Sequence, residues 1–196
     1  RRQVRYCMDR VLRRVDASSV GLWLYREVRR TGLLSIPPVR RAYELVYAQY
    51  KRHLEDPFYN LTRCHPELFT GGHIIDVGAN IGYTAAVFAT AIQPGFRVWA
   101  FEPSSENVQR LQDSIGRRRL QNVITVRRAA VSDQIGTMDL VLNPDHPGDH
   151  RMAPPSVEHR PGEGGVERVS VTTIDEDVRA GGIAPVAFIK IDVQGY

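Results

Sequence analysis

Residues 74–89 read IIDVGANIGYTAAVFA, and this stretch decides the fold. Apolar residues from His73 to Val77 are too few for a helix and suit a buried strand. That strand carries an acid, Asp76, near its end. Gly78 and Gly82 then bracket a tight loop, and an alanine-rich run to about Ile92 has the composition of a helix. Glycines let the backbone turn sharply and let another group come close to it. Strand, glycine loop and helix in succession open a βαβ unit.

The rhythm continues outward. Pro94-Gly95 turns the chain, and Phe96–Phe101 is the next strand, ending on Glu102. Ser104 is a candidate cap for a helix through Ile115, with Val108, Leu111 and Ile115 as its buried face. Val123–Val126 is a third strand. Strands alternating with helices predict an α/β, Rossmann-like fold with a mostly parallel sheet and right-handed crossovers. The alternation then breaks. Met138–Leu142 and Val166–Val171 read as strands, and the segment 143–165 between them is a long loop rich in Pro, Gly, His and Asp. A short helix over Thr173–Ala180 leads to the apolar strand Pro185–Ile191, tipped by Asp192.

Glu102 stands 26 residues after Asp76, at the end of the second strand. An acid at that place accepts hydrogen bonds from ribose hydroxyls. A dinucleotide site prefers G-x-G-x-x-G, whose central glycine leaves room for pyrophosphate. Here Asn80 occupies that position, and Asp76 is a poor neighbour for phosphate. The same acid suits a charged amino group. The ligand expected is therefore S-adenosylmethionine, which has a ribose and no phosphate.

Four segments together are more specific than the loop alone: DVGANIGYT at 76–84, AFEPSSENVQRL at 100–111, AAVSD at 129–133 and IKIDVQGY at 189–196. In combination they resemble the FkbM family of S-adenosylmethionine-dependent methyltransferases, over roughly residues 71–196. The resemblance implies a class I methyltransferase fold and methyl transfer, usually to an oxygen of a small-molecule or sugar-like acceptor. It implies that Asp76, Gly78, Asn80 and Gly82 form the first cofactor motif and that Glu102 holds the ribose. It places Ala130, Val131 and Ser132 beside the adenine, with Asp133 as a partner for it. It sets Asp192 next to the transferred methyl, as a catalytic residue. One departure stands out: the family's D-x-E-G-x-E has Gln194 in place of its first glutamate, and an amide cannot serve as a base.

Lys190 and Asp192 lie two apart on one strand and share a face. A lysine within a buried strand needs a partner, and a carboxylate near the end of the sheet is expected to supply it. In the loop NPDHPGDHR, 143–151, His150 is the candidate general base for an acceptor hydroxyl, since histidine titrates near neutral pH. The Pro-Gly pair there favours a turn over a metal site, so no metal is expected. Asn60-Leu61-Thr62 matches a glycosylation sequon by chance.

Residues 1–70 read as a helical cap, with helices over 4–15, 19–31 and 38–54, and residues 71–196 as the cofactor domain. Tyr43, Tyr47 and Tyr50 form a stripe expected to pack in a core. Residues 1–41 hold 11 Arg and 3 acids, a net of +8; residues 42–196 hold 15 Lys and Arg and 19 acids, a net of −4. The basic character thus belongs to the N-terminal arm, where arginines coat the wet faces of amphipathic helices. Such an arm also fits two rival readings, a nucleic-acid methyltransferase and a non-catalytic binding module. The first lacks the Asn/Asp-Pro-Pro tip that amino-group methylation of bases would call for at 192–194, so nucleic acid is not the expected partner. Two cysteines cannot frame a disulfide-rich fold. No apolar run approaches the ~20 residues of a membrane span. The expectation is a cytoplasmic enzyme with a small-molecule acceptor, cut from a longer chain, since it starts on Arg1 and stops at Tyr196 just past a strand. Oligomeric state leaves no mark in the sequence.

Overall fold

The structure, a computed structural model, describes residues 57–142, 150–153 and 165–193, together with Val39 in a helical conformation. The chain forms two compact units, Arg1–Cys64 and His65–Tyr196. Apart from Val39, the helices expected over 4–54 lie outside the described residues, and so do the tyrosine stripe, residues 143–149 and Gln194. In the first unit helix α1 spans Pro57–Cys64. Within it the Thr62 hydroxyl donates to the Tyr59 carbonyl at 2.9 Å.

The second unit begins with a 3-10 turn, Pro66–Phe69. Strand β1 (His73–Val77), helix α2 (Tyr83–Ala89), strand β2 (Val98–Phe101), helix α3 (Ser105–Arg118) and strand β3 (Ile124–Arg127) follow. Then come β4 (Ala130–Val131), β5 (Gly136–Val141), β6 (Arg151–Ala153), β7 (Val166–Thr172), helix α4 (Ile174–Gly181) and β8 (Val186–Ile191). Every strand and helix expected from 73 onward is present, with ends shifted by a few residues. The Ser104 hydroxyl caps α3 by accepting from the Asn107 amide, and the Thr173 hydroxyl caps α4 by accepting from Glu176.

The strands form two sheets. The first has the order β3-β2-β1-β8, and all its pairings are parallel. The second, β4-β7-β5-β6, pairs β4 with β7 in parallel and β5 antiparallel to both β6 and β7. The sequence marks 136–172 as a break in rhythm, and the structure shows what the break builds.

Both faces of the first sheet are covered, as a parallel sheet requires. On one face Ile75, Val77 and Phe101 pack with Ile183, joined by Ile174 and Val178 of α4. On the other, Phe69, Phe88 of α2 and Phe188 of β8 meet with ring centroids 4.9–5.7 Å apart. Strand β8 ends the sheet, with β1 on one side of it, and Ile189 and Ile191 are exposed there.

The register sets Asp76 opposite both Ala100 of β2 and Lys190 of β8. The acid that decides the loop is therefore central in the sheet. Gly82, at φ +86°, precedes α2, and a Cβ there would run into Cδ1 of the fully buried Leu111. Gly82→Ala combines left-handed strain with overpacking and is expected to destabilise the protein by about 2–4 kcal/mol. Urea unfolding of the two proteins measures this, and an unchanged midpoint would refute the packing role.

Candidate functional site

Three strand tips meet at one end of the first sheet: β1 with Asp76, β2 leading to Glu102, and β8 leading to Asp192. Open α/β sheets bind ligands at this end.

Asp76 is fully buried. Its Oδ1 lies 2.9 Å from the Lys190 ammonium, off the direction of a hydrogen bond, so charge holds the pair. Its Oδ2 is buried with no hydrogen-bond partner. Burial pushes the Asp76 carboxyl up from 3.8 to about 6; the Lys190 charge pulls it back, and the charges of Asp192 and Glu102 push it further up. The carboxylate expected of Lys190 is thus Asp76 first, with Asp192 Oδ2 more distant at 3.8 Å.

The loop after β1 uses its own amides. Those of Gly78 and Ala79 both donate to the Phe101 carbonyl at 3.0 Å. The Asn80 amide donates to Glu102 Oε2 at 2.9 Å, and Gly82 to the Ala79 carbonyl at 2.9 Å. A pyrophosphate cradle needs such amides pointing outward. Here four of them are turned inward and already bonded within the protein. Asn80 sits at φ +50°, a left-handed conformation that asparagine tolerates better than most residues. Gly78 is at φ +74°, and a Cβ on it would strike the carbonyl oxygen of Asp192. Its small size therefore serves the approach of β8, not only that of a ligand.

Glu102 is buried and heavily engaged. Oε1 accepts from the Ser104 amide at 3.1 Å and from Asn107 Nδ2 at 3.3 Å. With Asn80 on Oε2, three of the carboxylate's roughly four acceptor positions are taken. One remains on Oε2. Ser104 and Asn107 escaped the sequence reading as ligands of Glu102. A signal was present: Asn107 lies on the same helical face as Val108, Leu111 and Ile115, and a polar residue on an apolar face needs a partner.

The other residues singled out in the sequence divide. Asp192 is joined to the loop: its amide donates to the Val77 carbonyl at 3.1 Å while its side chain is 74% exposed. Ala130 packs into the core of the second sheet with Leu140, Val169 and Val171, and Val131 packs against the cluster containing Phe101. The Ser132 amide donates to the Thr172 carbonyl, and its hydroxyl lies 3.1 Å from Asp133 Oδ1. His150 precedes β6 at the outer end of the second sheet, on a different sheet from Asp192. Among the described residues no group of three metal-ligating side chains comes together. None of the described helices is long and apolar enough to cross a membrane.

The methyltransferase FkbM domain family matches residues 76–196. No curated protein matches the sequence. Among solved structures, similarity extends to a methyltransferase from Geobacter sulfurreducens, at 23% identity over 56% of this chain and 53% of that one, with a TM-score of 0.34. Coclaurine N-methyltransferase bound to N-methylheliamine and SAH is 16% identical over 65% of this chain and 48% of its own, TM-score 0.32. Protein arginine methyltransferase 10 of Arabidopsis thaliana is 18% identical over 40% and 26%, TM-score 0.33. The chain spans about a quarter to a half of the length of these proteins, and the family match is the finding that bears on function.

The raised Asp76 carboxyl makes a stability prediction. Its folded value of about 6 exceeds the ordinary 3.8, so between those limits the folded state binds more protons than the unfolded chain. Stability is then favoured at low pH and falls as pH rises through 6, by at most ~3 kcal/mol. In Asp76→Asn this dependence should vanish, so the wild type should gain on the variant as pH drops from 7 to 4. Urea unfolding at both pH values tests this; a constant difference would refute it.

Proposed function

The chain belongs to the FkbM methyltransferase domain family, and from that premise we propose that it transfers a methyl group from S-adenosylmethionine to a hydroxyl of a small-molecule acceptor. The observation that carries the reading is a pair of buried carboxylates ending adjacent strands, each with an acceptor position left open: Asp76 Oδ2 and one lone pair of Glu102 Oε2. Unsatisfied buried acceptors are costly. An amino group and a ribose hydroxyl are donors of the kind such acceptors suit.

In this reading Asp76 takes the amino group and Glu102 one ribose hydroxyl, and Ala130, Val131, Ser132 and Asp133 flank the base. The bound cofactor supplies a methyl carbon activated on a sulfonium, which leaves alignment of the acceptor to the protein. Asp192 does that work. Its exposed carboxylate at the neighbouring strand tip accepts the hydroxyl's hydrogen bond. Asp192 would also accept the proton that the hydroxyl gives up on methylation. His150 is a second candidate for this proton, although its place on the other sheet favours Asp192. The choice of oxygen over nitrogen rests on the exposed Asp192 carboxylate, since a hydroxyl must lose its proton for transfer to be completed.

Two measurements test the proposal. Calorimetry with S-adenosylhomocysteine should show binding to the wild type, weakened 10- to 100-fold in Glu102→Gln by loss of one charge-assisted hydrogen bond, on the order of 1.5–3 kcal/mol. Equal affinity in the variant, or tight binding of NADH, would overturn the cofactor assignment. Asp192→Asn should lower kcat by about 10²-fold or more while changing cofactor affinity little. A wild-type rate in a stable Asp192→Asn protein would remove Asp192 from the chemistry.

A further inference from the structure

Lys190 is buried in β8 between two exposed residues, Ile189 and Ile191. Its side chain reaches across to β1, where the ammonium meets three oxygens: Asp76 Oδ1 at 2.9 Å, the Val77 carbonyl at 3.2 Å and the Gly78 carbonyl at 3.0 Å. Asp192 Oδ2 stands further off at 3.8 Å. An ammonium has three donors and no acceptor; of the three near oxygens the two carbonyls accept hydrogen bonds, while Asp76 Oδ1 is held by charge. Two of them belong to the backbone at the point where β1 leaves the sheet. The last pair in register is Val77 with Ile191, so Gly78 lies beyond the ladder.

The loop that follows leaves extended geometry at once. Gly78, Asn80 and Gly82 all have positive φ within five residues. The glycines adopt such backbone without strain, whereas at Asn80 it depends on the surroundings that hold it. On the amide side, Phe101 and Glu102 at the end of β2 hold Gly78, Ala79 and Asn80. On the carbonyl side, at the loop's start, Val77 and Gly78 are held from β8 and its extension, through the Lys190 ammonium and the Asp192 amide. The two sides oppose each other, and the loop is clamped between them.

We propose that Lys190 is a positioning residue for the loop 78–82, continuing the ladder past its last register pair by holding the Val77 and Gly78 carbonyls, so that the loop is set before any ligand arrives. It acts through the loop and through Asp76. Only the purpose of the loop rests on the cofactor reading.

Amide hydrogen exchange in the free protein tests this without a ligand. Lys190→Met keeps most of the stem and removes the donors, but strands Asp76 as a buried charge, which can be strongly destabilising. The double variant Asp76→Asn/Lys190→Met removes both charges and serves as the folded comparison, with Asp76→Asn alone as reference. In the double variant the amides of Gly78, Ala79, Asn80 and Gly82 should exchange at least tenfold faster relative to those of Val98 and Val108 than they do in Asp76→Asn. Uniform acceleration at all six positions would reduce Lys190 to a contributor to global stability. Unchanged exchange at the four loop amides would leave it only a counterion for Asp76. Either result overturns the proposal. S-adenosylhomocysteine affinity should also fall at least tenfold from Asp76→Asn to the double variant. A wild type that failed to bind this probe would sink the cofactor reading, while the exchange data would still decide the role of Lys190.

Discussion

The ion pair between Lys190 and Asp76 joins two strands that lie more than a hundred residues apart in the chain. Burying either charge without the other would cost stability, on the order of several kcal/mol for a wholly unpaired ion. Together they fix the register of β8 against β1, since a slip of one residue would turn Lys190 to the opposite face. That register brings Asp192 to the first loop and its carbonyl against Gly78. The geometry of the whole strand-tip region follows from this pairing. The pair is not fully satisfied, however: Asp76 Oδ2 is left buried with no hydrogen-bond partner.

Glu102 shows the same economy from the other side. A carboxylate that accepts three hydrogen bonds from the protein is pre-organised, and little entropy remains to be lost when a ligand takes the fourth position. The same bonds tie Asn80 to the start of α3 through Ser104 and Asn107. The residue expected to recognise the ribose is thus also the knot between the glycine loop and the following helix.

The second sheet is joined to this region by a carboxylate as well. Glu167 of β7 accepts from the Ser105 amide at the first turn of α3 and from the Arg128 guanidinium. An acid at the start of a helix is favourable for the exposed amides there. The helix that carries Asn107, and so holds Glu102, is in this way anchored by a strand of the other sheet.

The sequence by itself determined the elements of the second unit, because period, punctuation and caps are local properties. Alternating strands and helices forced a parallel sheet, and the acids at 76 and 102 marked one end of that sheet as the candidate site. It also required a partner for Lys190. Only the tertiary structure decided which carboxylate that partner is, because Asp76 and Asp192 both stand within reach of the same strand position. It alone showed that the loop amides turn inward and that Gly78 and Gly82 make room for Asp192 and Leu111. It also set His150 before a strand of the second sheet and Asp192 after a strand of the first. Such facts depend on which strands become neighbours and in what register, and these are set by contacts between residues far apart in the chain, which no local pattern encodes.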